Sequence, residues 1–258
     1  MNGTLLKVES VSKNFGGVNA LLDVNVSVDQ GSITSLIGPN GAGKTTLFNV
    51  ITNLIPLDSG RVLFQNERID HLPSHQMANK GIQRTFQLLQ VFKELSVFEN
   101  VALGMHAKSK AGLLPTIFRF PSMSLEEVEI IEQSKNAIQL VGLEAQMNET
   151  AGRLPFGQQK LLELARAFVS RPKLLLLDEP TNGLNPHETQ MIIRVLHKIH
   201  DQGIDILFVA HDMVTVMEIS DKIYVLNFGQ KIAEGTPDEI AKNKEVIKAY
   251  LGKEYRIA

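Results

Sequence analysis

Apolar positions change their period along the chain in an order that predicts strands alternating with helices. Residues 22–28 set Leu22, Val24, Val26 and Val28 alternately against Asp23, Asn25 and Ser27, the period of a strand with one buried face. Gly31 then turns the chain into Ile33–Ile37, a short apolar run, followed by a glycine-rich stretch and an apolar segment at Leu47–Ile51. That order reads strand, loop, helix. Gly60–Gln65 reads as a further strand.

Between about 70 and 170 the pattern becomes helical. Leu125–Leu140 and Gln158–Phe168 both carry apolar residues at helical spacing among charges. Gly112–Ser122 (GLLPTIFRFPS) is an apolar, proline-bounded insertion. It reads as a loop packed on its own lobe or as a surface that touches a partner. Strands return after Pro172. Leu174–Leu177 is a continuous apolar run ending at Asp178-Glu179, as expected of a strand buried on both faces. His187–His200 reads as an amphipathic helix with Met191, Ile192, Val195, Leu196 and Ile199 inward. Ile206–Ala210 is another buried strand, ending at His211. Lys222–Asn227 and Gln230–Glu234 flank Phe228-Gly229 as a hairpin, and a helical tail runs from Pro237 to Leu251.

Composition narrows the classes. A chain of 258 residues with 43% hydrophobic residues has enough apolar material for a real core. A net charge of −2 gives no general attraction to nucleic acid or to an anionic membrane. The absence of Cys excludes disulfides, thiolate metal sites and a cysteine nucleophile. The N-terminal MNGTLLKVES is not a signal peptide, since polar and charged residues interrupt it. No apolar run approaches the roughly 18 residues that cross a bilayer. Work at a membrane would leave the spanning to another chain.

The chemistry is concentrated in separated segments. Gly38-Pro39-Asn40-Gly41-Ala42-Gly43-Lys44-Thr45-Thr46 fits the phosphate-loop pattern G-x-x-x-x-G-K-[ST]. Glycines there let backbone N–H groups approach phosphate oxygens, and a helix starting near Lys44 aims its positive end at them. Lys44 is suited to neutralise the β- and γ-phosphates, and the Thr45 hydroxyl to meet Mg²⁺. Asp178 ends a strand where ligands of open α/β sheets sit, and can hold Mg²⁺ through water. Glu179 follows it, placed to orient and polarise an attacking water. His211 ends another strand, placed for a γ-phosphate contact.

Taken in order, these segments resemble the ATPase subunits of ABC transporters, over nearly the whole chain. The resemblance implies an α/β fold of the P-loop NTPase class in its ABC ATPase form. That fold has a mixed sheet core, an antiparallel β subdomain and a helical lobe. It implies one domain over 1–258, with a core lobe at about 1–85 and 171–258 and a helical lobe at about 86–170. By the same resemblance Phe15 stacks on adenine. Gln87, in Arg84-Thr85-Phe86-Gln87, reaches Mg²⁺ and the water and links the site to the transmembrane partner. Leu154-Pro155-Phe156-Gly157-Gln158 stands at the signature, Asn182-Gly183-Leu184-Asn185 forms the dimer-contacting loop, and His211 is the switch. Finer features are similar to the branched-chain amino acid uptake branch: RTFQ at 84–87, the insertion after Glu99-Asn100, FGQQ at 156–159, GLNP at 183–186, HDM at 211–213, GTP at 235–237 and AYLG at 249–252.

Two departures stand out. The usual signature is Leu-Ser-Gly-Gly-Gln. Here Pro155 replaces the Ser and Phe156 the first Gly, so the hydroxyl that donates to the opposite γ-phosphate is absent. Losing one donor to a charged acceptor weakens such a site by about 1.5–3 kcal/mol unless water substitutes. Gly157, Gln158 and the helix N-terminus remain as ATP contacts. Asn185 stands where Asp is usual in the dimer loop.

The resemblance implies a head-to-tail dimer that closes on ATP and opens on hydrolysis. It implies Mg²⁺ as cofactor and a second ATPase subunit as partner, in a homodimer or a heterodimer. It implies transmembrane permease subunits that dock a short helix near Gln87–Glu99, and an indirect link to a substrate-binding protein. It places the subunit peripherally on the cytoplasmic face of the inner membrane. The competing readings are a soluble ABC-type ATPase acting on nucleic acid or the ribosome, and a nucleotide-dependent regulatory module. No long coiled-coil insertion, second ATPase unit or basic stripe favours the former.

Overall fold

The computed structural model describes residues 3–85, 87, 89–105 and 125–251. The insertion Gly112–Ser122 lies outside them, as do Phe86 and Gly252 of the quoted motifs.

Two sheets share one interior. An antiparallel sheet of order β2-β1-β4-β5 is built from β1 (Thr4–Phe15), β2 (Val18–Asp29), β4 (Ser59–Phe64) and β5 (Glu67–Arg68). The second sheet has the order β10-β9-β3-β8-β7-β6. It comprises β3 (Ile33–Ile37), β6 (Ile82–Arg84), β7 (Leu174–Asp178), β8 (Asp205–Val209), β9 (Lys222–Asn227) and β10 (Gln230–Gly235). All its pairings are parallel except that of β9 with β10.

The period-two geometry of β7 divides its leucines between two cores. Leu174 and Leu176 join Leu36, Leu207, Val209 and Leu226 against α1 (Lys44–Ile51) and the antiparallel sheet. Leu175 and Leu177 face the opposite way, with Ile33, Ile206, Phe208 and Ile223, toward the remaining helices. This is why the run is apolar throughout. Covering that second face are α5 (Phe156–Phe168), α6 (Pro186–His200) and α7 (Met213–Ile219). Packed beside α5 are α3 (Val97–Leu103) and α4 (Leu125–Val141). The short α2 (Met77–Lys80) precedes β6.

Three details differ from the sequence reading. Leu22 is 41% exposed, whereas Leu21 is buried beside Val24, Val26 and Val28. The register explains it: Lys13 pairs with Leu21 but Val11 with Val24, so β2 carries an extra residue there, and Asp23 takes φ +51° at the bulge. In α6, Ile193 is fully buried and Met191 only partly. The C-terminal helix divides into α8 (Pro237–Ala241) and α9 (Lys244–Leu251). The side chain of Asn243 accepts from the amides of Glu245 and Val246 and starts the second helix afresh.

Candidate active site

The parallel strands β3, β8, β7 and β6 deliver their carboxyl ends to one edge of the sheet, where α/β proteins bind ligands. Gly38 follows β3, His211 lies just past β8, Asp178 closes β7 with Glu179 next, and Gln87 lies just past β6. Strand β8 separates β3 from β7, so the phosphate loop and the acidic pair flank it.

The loop from Gly38 to Gly43 is shaped by close backbone approaches. Gly38 has φ +152°, and a Cβ there would lie 2.1 Å from the Leu226 carbonyl oxygen of β9. Gly43 has φ +103°, and its Cβ would lie 2.5 Å from the Ala20 carbonyl oxygen of β2. Only glycine meets both conditions at each position. The loop closes with Ala42 N–H donating to the Pro39 oxygen at 3.1 Å, and Gly229 N–H donates to the Ala42 oxygen at 3.0 Å. Gly43, in a left-handed conformation, precedes α1, whose N-terminus takes no side-chain cap. Its first amides therefore face the loop as an anion site. Lys44 is buried and donates through Nζ to the carbonyls of Gly38 at 2.7 Å and Pro39 at 3.0 Å. Asn40, Gly41 and Thr45 are exposed, and Thr46 is half-buried.

Glu179 is the hub of the acidic side. Its Oε1 lies 2.7 Å from His211 Nε2. Its Oε2 accepts from Gln87 Nε2 at 3.3 Å and from Asn182 Nδ2 at 2.9 Å. The backbone at Glu179 takes φ +52°, which a β-carbon disfavours. The Glu179 N–H bonded to the Val209 oxygen at 2.9 Å and the Asn182 N–H bonded to the Glu179 oxygen at 3.2 Å hold it there. Asp178 is 3% exposed and pairs with Arg84. Burial pushes its carboxyl above the ordinary aspartate range, while Arg84 and the nearby Lys44 pull it back down. The influence of Lys44 ties the phosphate loop electrostatically to the acidic strand tip.

Phe15 is 46% exposed at the end of β1, beside the Gly16-Gly17 turn, with Lys13 Nζ 5.4 Å from its ring centroid. The strand that follows this turn places Ala20 against Gly43. Gly157 and Gln158 lie elsewhere, in a recess of about 250 Å³ shared with Asn185, His187 and Glu188. No phosphate-loop residue lines that recess. Pro155 precedes α5 without a side-chain cap. The Phe156 ring packs at Gly183, its Cε1 3.2 Å from where a Cβ would stand. Segments 155–158 and 182–185 therefore share one patch, which no phosphate-loop residue lines.

The structure adds partners that the sequence reading did not single out. Arg84 was visible only as part of the segment that holds Gln87. Asn182 was quoted only as the first residue of the dimer-contacting loop. Asn100 is fully buried; its amide donates to the Phe92 and Ser96 carbonyls and its oxygen accepts from Phe92 N–H, which braces the segment after Gln87. No sequence signal distinguishes such an Asn from a solvated one.

The donor set suits a magnesium nucleotide. The glycine cradle, the α1 amides and Lys44 supply N–H donors and positive charge for phosphates. Thr45, Asp178 and Gln87 offer oxygen, the donor type that magnesium takes. Among the described residues no three His, Asp or Glu side chains are grouped to hold a metal by themselves. A magnesium ion here would thus be shared with phosphates and water, its usual habit.

Residues 21–182 match the ABC transporter family, and residues 230–256 match the branched-chain amino acid ATP-binding cassette transporter family. The chain is 40% identical over 253 residues to the high-affinity branched-chain amino acid transport ATP-binding protein BraF of Pseudomonas aeruginosa, covering 98% of this chain and 99% of that one. It is similar to the ADP conformation of MJ1267, an ATP-binding cassette of an ABC transporter, with a TM-score of 0.84, 34% identity and coverage of 96% and 99%. It is also similar to a dimeric post-hydrolysis state of the cassette MJ0796 bound to ADP and Pi, with a TM-score of 0.76, 26% identity and coverage of 90% and 99%. By these matches the chain belongs to the ATP-binding subunits of the ABC transporter family.

Proposed function

We propose that this ABC ATPase powers an importer of branched-chain amino acids, hydrolysing Mg-ATP in the interface of a two-subunit clamp. The observation that carries the catalytic reading is Glu179, whose two carboxylate oxygens are held separately by His211 on one side and by Gln87 and Asn182 on the other. A carboxylate so fixed at a strand tip beside a phosphate loop can orient a water for in-line attack. The cargo class is supported by the likeness to BraF and by the C-terminal match.

In this mechanism Phe15 stacks on adenine. The amides of residues 38–46 bind the phosphates, and Lys44 leaves its loop carbonyls for the β- and γ-phosphates. Thr45, Asp178 and Gln87 would hold Mg²⁺, in part through water, and the ion would supply positive charge against that developing on the phosphates. Glu179 polarises the attacking water, and His211 keeps both Glu179 and the γ-phosphate in place. Gly157, Gln158 and the α5 N-terminus contact the nucleotide of a second ATPase subunit, in a homodimer or a heterodimer. The separate patch supports this reading, since no residue of the same chain's phosphate loop lines its recess.

The chain is read as one ATPase domain, with a core lobe at about 1–85 and 171–258 and a helical lobe at about 86–170. A groove of about 420 Å³ beyond Gln87, lined by Gln90, Phe92, Leu103 and Glu163 among others, would receive a short helix of a transmembrane permease subunit. Phe92 is 51% exposed there. This docking puts the subunit on the cytoplasmic face of the membrane, with the substrate-binding protein coupled only through the permease.

The test is Glu179→Gln. The variant is expected to bind ATP with near-normal affinity, to hydrolyse it at least about a hundredfold more slowly, and to accumulate as a closed dimer in ATP on size-exclusion chromatography. Turnover at the normal rate would remove Glu179 from this role.

A further inference from the structure

Glu163 is a buried carboxylate that the mechanism above does not use. It lies in α5, the helix that begins with Phe156 and Gly157, and is 4% exposed. Its Oε1 accepts the backbone N–H of Gln90 at 3.2 Å. One turn further along the same face of α5, the Arg166 guanidinium lies 5.3 Å from the Phe92 ring centroid. From the other side Asn100 of α3 accepts the Phe92 N–H at 2.9 Å and donates to the Phe92 carbonyl at 3.0 Å. The end of α3 in turn meets α5 closely, since a Cβ at Gly104 would lie 2.2 Å from the Arg166 carbonyl oxygen. Residues 90–92 are thus clasped between two helices, and they line the groove together with Leu103, Gly104, Glu163 and Arg166.

Packing alone gives no reason for a carboxylate at this place. Burial pushes the Glu163 carboxyl above the ordinary glutamate range, against the pull of Lys160 and Arg166. An apolar side chain would fill the same space without that desolvation cost. What the acid adds is an oxygen for Gln90, and either protonation state supplies one. The bond reaches a segment that leads back to Gln87, whose amide donates to Glu179 at 3.3 Å. It starts from a helix whose other end is the signature. Displacing residues 90–92 would therefore pull on α5 as well as on the chain toward Gln87.

We propose that Glu163 is a positioning residue that couples the permease groove to the signature end of α5, by joining that helix to the segment beyond Gln87. A helix docked in the groove would then act on two nucleotide sites. Through Gln87 it reaches the site of its own chain, and through α5 the site of the second subunit. The proposal rests on the reading of the groove as the permease site.

The experiment compares Glu163→Met and Glu163→Gln with the parent, each assembled with the permease subunits in lipid nanodiscs. Met keeps the length of the side chain and adapts to its packing but removes the acceptor. Gln keeps an oxygen for Gln90. The readout is the ratio of ATPase rates with and without permease. We expect Glu163→Met to lower this ratio by about five- to tenfold, and Glu163→Gln to stay within about twofold of the parent. An unchanged ratio in the Met variant would overturn the role of Glu163. A lower melting temperature with equal losses in both rates would assign the residue to packing and also overturn it. A Gln variant as impaired as the Met variant would refute the Gln90 bond as the link. The parent chain has no Cys, so Phe92→Cys places a single thiol in the groove. If that thiol does not crosslink to the permease, the docking reading fails and the proposal falls with it. If it crosslinks while the Met variant keeps its ratio, only the role of Glu163 is overturned. Should the Met variant not fold, Glu163→Ala, which also removes the acceptor, takes its place.

Discussion

Arg84 Nη2 donates to Asp178 Oδ2 at 3.1 Å, and both side chains are almost fully buried, at 7% and 3% exposure. The same guanidinium donates through Nη1 to Asn49 Oδ1 at 2.8 Å and Thr52 Oγ1 at 3.1 Å, and it lies 5.5 Å from the Phe48 ring centroid. One side chain therefore joins β6, the helix after the phosphate loop and the acid assigned to the metal. Burial disfavours charge on both groups, lowering the pKa of Arg84 and raising that of Asp178. Their pairing offsets part of that burial cost and aims the carboxylate.

Replacing Arg84 by Gln should consequently destabilise the fold by roughly 3–5 kcal/mol at neutral pH, because it strands a buried carboxylate. The pH dependence follows from the raised pKa of Asp178. A folded state that binds the proton more tightly than the unfolded chain loses stability as pH rises. Removing Arg84 raises that pKa further. The stability gap between parent and variant should therefore be small near about pH 5 and wide near about pH 8. Urea unfolding at both values checks this; a gap independent of pH would refute the charge pairing.

His211 is the only described partner of Glu179 Oε1, while Gln87 and Asn182 share Oε2. The His211 side chain is 43% exposed, so it can meet a ligand as well as the carboxylate. His211→Ala should reduce kcat by about a hundredfold or more and leave the KM for ATP within about threefold of the parent. Steady-state kinetics would separate this from a binding role, which would appear chiefly in KM.

Pro155 takes φ −54° and ψ 152° before α5, angles that Ser adopts without strain. In Pro155→Ser the hydroxyl can accept from an early α5 amide, a gain of about 1 kcal/mol. The lost proline restores freedom to the unfolded chain at a cost of about 0.4–1 kcal/mol. Melting temperature should hardly change. The same hydroxyl keeps a proton for the γ-phosphate of the opposing subunit, so ATP-driven dimerisation in a hydrolysis-deficient background should strengthen by about tenfold or more. Unchanged dimerisation would show that backbone donors and water already complete the site.

Strand and helix types were legible wherever burial was simple. Leu174–Leu177 is apolar at every position because both faces of β7 are covered, and the run announced itself. The first strand was not legible, because Ser10 at φ +48° and register shifts near Val8 and Val11 break its alternation. For the same reason Leu22 was read onto the wrong face. The hairpin at Phe228-Gly229 was readable as a turn, but not its contact with Ala42 of the phosphate loop.

The order of glycines, Lys44, the acidic pair and His211 was set by local chemistry. Each needs a fixed residue type at a strand end or a helix start, and such rules are written in short stretches of chain. What only the tertiary structure decided is who holds whom. Arg84 on Asp178, and Asn182 and Gln87 on one oxygen of Glu179, join residues that are mostly far apart in the chain. A hydrogen bond depends on distance and direction between packed elements, and no periodicity along the chain encodes either.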